Sequence, residues 1–246
     1  MTKLLPDTHL TVEQIDQLPV EEHFRLRGTE TTRLDTLIDA AFAFTLPMLA
    51  IAQEGVPSSF DELKTGIAQL PALTLAFAAL MMFWFGHRKW SRRYGIENTS
   101  TVIISVSLAF VLLIYIYPLR LLFEGMFSFL SGGRLPYNLS FNNFDQVRGF
   151  FAFYATGFLA MSLLMKALYH SALKQANALM LNEYELLETR YQSVRWTVSI
   201  AFALISIAIS VFIPIQLISI AGFIFFVMMI FQHILHTLHK RKIRNL

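Results

Sequence analysis

The sequence contains no cysteine. Disulfides, thiolate metal sites and thiol catalysis are therefore excluded. It is also poor in charge. Only 15% of its 246 residues are Asp, Glu, Lys or Arg, against about 25% in an average soluble domain. Catalytic signatures are missing too: there is no glycine-rich phosphate loop, no G-x-S-x-G elbow and no H-E-x-x-H pair. The first thirty residues are polar and acidic and hold no apolar stretch of the kind a secretory signal needs. Membrane insertion is then expected to use the first spanning segment itself.

What the sequence has in excess is apolar surface. Hydrophobic residues make up 55% of the chain, and the mean hydropathy is +0.51. One soluble core of this size cannot hide that much. The fold class expected is all-α, a polytopic integral membrane protein. The net charge of +3 is small, and the pI near 9.2 reflects where Lys and Arg sit. It does not point to nucleic acid.

A membrane-spanning helix needs roughly 20 mostly apolar residues. Six segments meet that need: 33–52, 70–90, 100–123, 147–169, 195–213 and 214–236. The last two form one apolar stretch too long for a single crossing. Pro214 breaks it, because proline lacks the backbone donor and clashes with the preceding turn, and a tight helical hairpin is expected there. Ser59-Phe60-Asp61-Glu62 is a capping box that predicts a short helix between the first two spans, and Thr11 to Gln14 is a similar helix start. Gly132, Gly133 and Pro136 predict an irregular loop over 124–146. Residues 174–190 read as an extension of the fourth helix.

Basic residues orient the chain. With the N-terminus inside, fifteen fall on the inner side: Lys3, Arg25, Arg27, Arg33, Arg88, Lys89, Arg92, Arg93, Lys174, Arg190, Arg195, Lys240, Arg241, Lys242 and Arg244. Four fall outside (Lys64, Arg120, Arg134 and Arg148), and Lys166 lies within the fourth helix. Both termini are therefore expected in the cytoplasm. The organisation expected is a cytoplasmic segment over 1–30, a six-helix transmembrane domain over 31–238 and a basic cytoplasmic tail over 239–246.

Asp39 lies two turns inside the first span. An ionisable side chain there needs a partner or water, and is a functional candidate by default. It could fix packing, fix packing within a pore-forming unit, or bind a proton or ion directly. Ala40, Ala43, Pro47 and Ala50 form a small-residue stripe that permits close helix approach, while Phe44, Met48 and Ile51 form an adjacent apolar stripe. His87 falls where the second span meets the interface, flanked by Trp84 and Trp90 of an aromatic belt. His233, His236 and His239 stand at i, i+3 and i+6 with no carboxylate beside them. They read as a cationic helix end facing anionic head groups rather than a metal site. Asn98 and Asn138 begin N-x-S/T sequons, of which only Asn138 is expected to face outward.

Two of these motifs resemble a known family. Arg33-Leu-Asp-Thr-Leu-Ile-Asp39 resembles the R-x-x-x-F-S-D signature of the transmembrane protein 175 potassium channels, with Leu37 and Ile38 in place of Phe and Ser. Phe83-Trp84-Phe85-Gly86-His87-Arg88 resembles their W-x-x-H ending of the second helix. Bacterial members have six helices and cytoplasmic termini, and the resemblance extends over 31–238.

The resemblance implies a homotetramer in the cell membrane, with a pore lined by the first helix of each protomer. It also implies potassium ions as permeant partner, surrounding lipids, no cofactor and no enzyme activity. Phe44 then takes the place of the family's apolar ring and Pro47 that of its Thr, with Thr45 the nearest substitute. Met48 and Ile51 continue the lining. Arg33, Asp39 and His87 correspond to a polar network that fixes the pore helix. A Phe44 ring implies a tight hydrophobic constriction, which can gate by dewetting. The competing expectation is a non-conducting scaffold or sensor of the same fold, favoured by the lost F-S pair and by Phe44 and Pro47. A proton-coupled transporter would need an inverted repeat, and Pro47 has no counterpart three helices later.

Overall fold

The computed structural model describes residues 12–51, 58–137 and 139–244. After a short helix α1 (Val12–Asp16) comes a two-stranded hairpin, β1 (Val20–Glu21) and β2 (Phe24–Arg25). The bundle follows: α2 (Arg33–Ile51), α3 (Phe60–Ala68), α4 (Leu70–Tyr94), α5 (Thr99–Leu130), α6 (Phe144–Lys174), α7 (Glu183–Phe212) and α8 (Ile220–Arg244). Among the described residues, α4, α5, α6, α7 and the segment Ile215–Ile243 are long and apolar enough to cross a membrane. The protein is thus an all-α, multi-pass membrane protein. α2 has 19 residues, which gives it a length of about 28 Å.

Side-chain caps set the helix starts. The Ser59 hydroxyl accepts from the Glu62 amide at the start of α3. Asn98, Asn143 and Asn182 do the same for α5, α6 and α7, each satisfying an amide the helix leaves orphaned. Asn98 is thus the cap of α5. Asn138, the other sequon, lies outside the described residues, as does Thr11. The α4 helix ends at Gly95 in the left-handed conformation (φ +59°), where a Cβ would also stand 2.8 Å from the Arg27 carbonyl oxygen. Both conditions require glycine.

Pro214 ends α7 as expected. A single 3₁₀ turn (Ile215–Leu217) reverses the chain, and the Ser206 hydroxyl donates to the Ala221 carbonyl across the hairpin at 2.7 Å. The fourth span does not extend through residue 190. The α6 helix stops at Lys174, and the Asn182–Glu185 capping box starts α7 at Glu183. The α5 helix runs to Leu130, so the irregular outer loop is shorter than expected. Residues 240–244, most of the basic tail, continue α8.

The interior combines large apolar side chains such as Leu80, Phe83, Trp90, Leu112, Met161 and Leu168 with buried Thr101, Ser105, Ser162, Ser199 and Ser206. The outside carries Phe110, Phe212, Met229 and Ile230, all more than 60% exposed. Small polar residues inside and bulky apolar ones outside suit a bundle whose solvent is lipid.

Candidate pore helix and its polar anchors

α2 has two unlike faces. Leu34, Ile38, Phe42, Thr45 and Leu49 are buried against the bundle. Arg33, Thr36, Leu37, Ala40, Ala43, Phe44 and Pro47 are exposed. At 3.6 residues per turn these fall on opposite arcs of one helix. Phe44 is 60% exposed, whereas Met48 is half-buried at the edge of the core. The side chains of Ala50 and Ile51 lie outside the described residues. Thr45 is turned inward and donates to the Phe42 carbonyl of its own helix. It therefore cannot stand in for a threonine on the exposed arc.

Two aspartates pin α2 to α4. Asp39 accepts from the Trp84 indole at 2.8 Å, and the Arg88 guanidinium lies 5.1 Å from the Trp84 ring centre. One turn earlier, Asp35 accepts from the Ser91 hydroxyl at 2.6 Å and from the Thr32 amide and hydroxyl. Within one protomer, Arg33, Asp39 and His87 do not bond to one another. Arg33 is exposed, and the buried His87 pairs with Ser105 on α5 at 2.9 Å. Asp39 thus relies on Trp84 of the W-x-x-H motif, not on His87. Asp35 went unrecognised as an anchor because it reads as an ordinary acidic residue in a first helical turn. Its partner stands 56 positions away.

The other end of α2 is fixed from α5. Arg120 and Glu124 are buried, pair at 2.7 Å, and Arg120 also donates to the Leu49 carbonyl and to Gln69. A helix C-terminus offers free carbonyls, and a cation meets them favourably. Arg120 is therefore part of the bundle interior.

A larger ionic cluster joins the N-terminal hairpin to the bundle. Glu185, fully buried, receives Arg25 and Arg27, each at 2.9 Å. Glu188 receives Arg93 at 3.0 Å and His239 at 2.7 Å. Phe24 is buried under the Arg93 guanidinium, 4.5 Å from its ring centre. The α8 histidines separate: His239 stacks on Tyr191, His236 bonds to the Tyr191 hydroxyl and His233 is exposed. Among the described residues, no group of three or more His, Asp or Glu could hold a metal ion.

With this geometry in place, comparison with known proteins is specific. The sequence pattern of the family described as the endosomal/lysosomal potassium channel TMEM175 matches residues 33–118, from the start of α2 into α5. Over that stretch the protein is similar to the TMEM175 potassium channels. A protein of Marivirga tractuosa described as a potassium channel is 25% identical over 232 residues, covering 91% of this chain and 94% of the relative. The fold matches the crystal structure of a variant of the potassium channel MtTMEM175 in complex with a nanobody–MBP fusion protein. The TM-score is 0.77 at 24% identity, covering 89% of this chain and all of the other. The family and these relatives are described as potassium channels.

Proposed function

We propose that this protein is a potassium-permeable channel, assembled as a homotetramer around a pore lined by α2, which supplies the sixth crossing. The bare arc of α2 carries this reading. One face of the helix is packed and pinned at both ends, while the face bearing Leu37, Ala40, Phe44 and Pro47 is left uncovered by the protomer. A helix held this firmly with one open face is built to meet copies of itself. The relatives described as potassium channels support the choice of ion. Four Phe44 side chains would form the narrowest ring, with Pro47 and Ile51 beyond it and Met48 at its flank. No cofactor takes part. The count of basic residues supports an orientation with both termini in the cytoplasm, which puts the hairpin and the tail of α8 inside.

The test is flux from potassium-loaded liposomes, repeated with sodium, on protein whose oligomeric mass has been measured. Potassium efflux that is absent from empty liposomes is expected. Equal sodium and potassium flux would keep the pore and remove selectivity. A silent tetramer, silent also as Phe44→Ala, would favour the non-conducting module of the same fold, a reading that the bulk of Phe44 supports.

A further inference from the structure

Two cavities meet at Met82 on α4. The larger, about 570 Å³, is lined almost wholly by apolar side chains of α4, α5, α6 and α8, Phe123 and Phe225 among them. The smaller, about 230 Å³, lies toward the hairpin end and is lined by Lys89, Gln192, Arg195 and Gln232. Residues 75, 78, 79 and 82 of α4 face the first, and 82, 85, 86 and 89 face the second. The two share Met82 and follow one another along α4, the apolar part facing α8 and the cationic part facing α7 and Gln232 of α8. Among the described residues, no carboxylate lines either part.

The geometry points to an anionic glycerophospholipid spanning the two cavities, with an acyl chain along the apolar part and its phosphate at Arg195. Arg195 is the decisive group. Its guanidinium donates to two neutral carbonyls, Gln192 at 3.4 Å and Gln232 at 3.0 Å, and its Nε is buried with no partner. An arginine fork left with a free donor and no carboxylate in its cavity suits a phosphate, which it can hold through two parallel bonds. Lys89 adds a second cation; its ammonium bonds Glu22 at 3.2 Å and has further donors to give. A free phosphate would satisfy Arg195 and leave the larger apolar cavity unfilled. A lipid without a phosphate would fill the cavity and leave Arg195 without an anion, and a zwitterionic one would bring its own cation close to Lys89. The inference goes beyond the channel reading and needs only that the bundle sits in a bilayer, so failure of flux leaves it intact.

The test is native mass spectrometry of the delipidated full-length protein in detergent. The probes are phosphatidylglycerol, phosphatidylcholine with the same acyl chains, and inorganic phosphate. Phosphatidylglycerol should bind tighter than phosphatidylcholine. Arg195→Gln should weaken phosphatidylglycerol by about tenfold, the scale of a charge-assisted bidentate contact. Lys242→Gln, on the exposed tail, should not change it. Met82→Trp, which fills the junction and spares Arg195, should lose both lipids. Wild-type phosphatidylglycerol binding by Arg195→Gln would overturn the site. So would inorganic phosphate binding as tightly as the lipid, which marks an ion site only. Met82→Trp that keeps its lipid but dissociates the oligomer would assign the cavities to a second copy. Should Arg195→Gln not fold, Met82→Trp decides alone: lost lipid supports the site and retained lipid overturns it.

Discussion

Phe42 and Phe44 stand two residues apart on α2, yet one is 1% exposed and the other 60%. The residue type is the same, so the difference belongs to the two faces of the helix. The inner face is committed to the protomer: Ile38, Phe42 and Leu49 fill the core and Arg120 holds the last turn, while at its edge the half-buried Asp35 and the exposed Asp39 grip α4. The outer face makes no such commitment and is free to be shaped by what it meets. A pore helix needs both properties, because a lining that shifts relative to its support cannot hold a constriction.

Substitutions along α2 can break this comparison. Phe42→Ala should have the largest effect on folding, about 3–5 kcal/mol for a buried aromatic cut to alanine, read as a lower denaturation midpoint in detergent. A change near zero would mean that the inner face does not carry the protomer. Arg120→Leu should come close, about 3–5 kcal/mol, because it leaves Glu124 buried without its partner. Its signature is loss of protection of the last turn of α2 in hydrogen exchange. Asp39→Ala should cost less, about 0.5–1.5 kcal/mol for the lost bond from the Trp84 indole, and should weaken assembly as well as flux. Wild-type oligomer mass and thermal stability in that variant would remove the anchoring role.

Phe44→Ala should leave protomer stability within about 0.5 kcal/mol while raising cation leak severalfold. Unchanged flux with assembly intact would place Phe44 away from the pore. The smallest effect lies at the hairpin. Lys89 holds the Glu22 carboxyl below its usual range. A carboxylate depressed in the folded state stabilises above its unfolded pKa and loses that contribution as pH falls. Glu22 is largely exposed, so solvent screens most of this. Protection factors of the hairpin amides should fall slightly under acid, and Lys89→Gln should reduce that pH dependence, with Arg93 left as the second cation beside Glu22.

Much of the bundle was legible in the residues. Long apolar runs, the Ser59 capping box and Pro214 placed five of the six expected spans and the final reversal, since these depend on local backbone chemistry and on period. The start of α7 was missed although its signal is present: Asn182 three residues before Glu185 is a capping box, hidden inside a polar, helix-favouring stretch. The polar anchors were half legible. Asp39 announces itself by sitting in an apolar helix, but Trp84 could not be named as its partner, because any donor on a neighbouring helix would serve. The hairpin cluster gave no signal, since Arg25 and Glu185 are 160 positions apart.

Composition and pattern alone thus determined that this chain is an all-helical membrane protein, where its helices turn and which helix carries unusual polar residues. Those properties follow from hydration and from hydrogen bonds between near neighbours. Only the tertiary structure decided which face of α2 is bare, which partner each aspartate takes and that Arg195 lines a cationic cavity beside an apolar one. Side-chain partners are set by the packing of helices far apart in the chain, and no local rule encodes that distance.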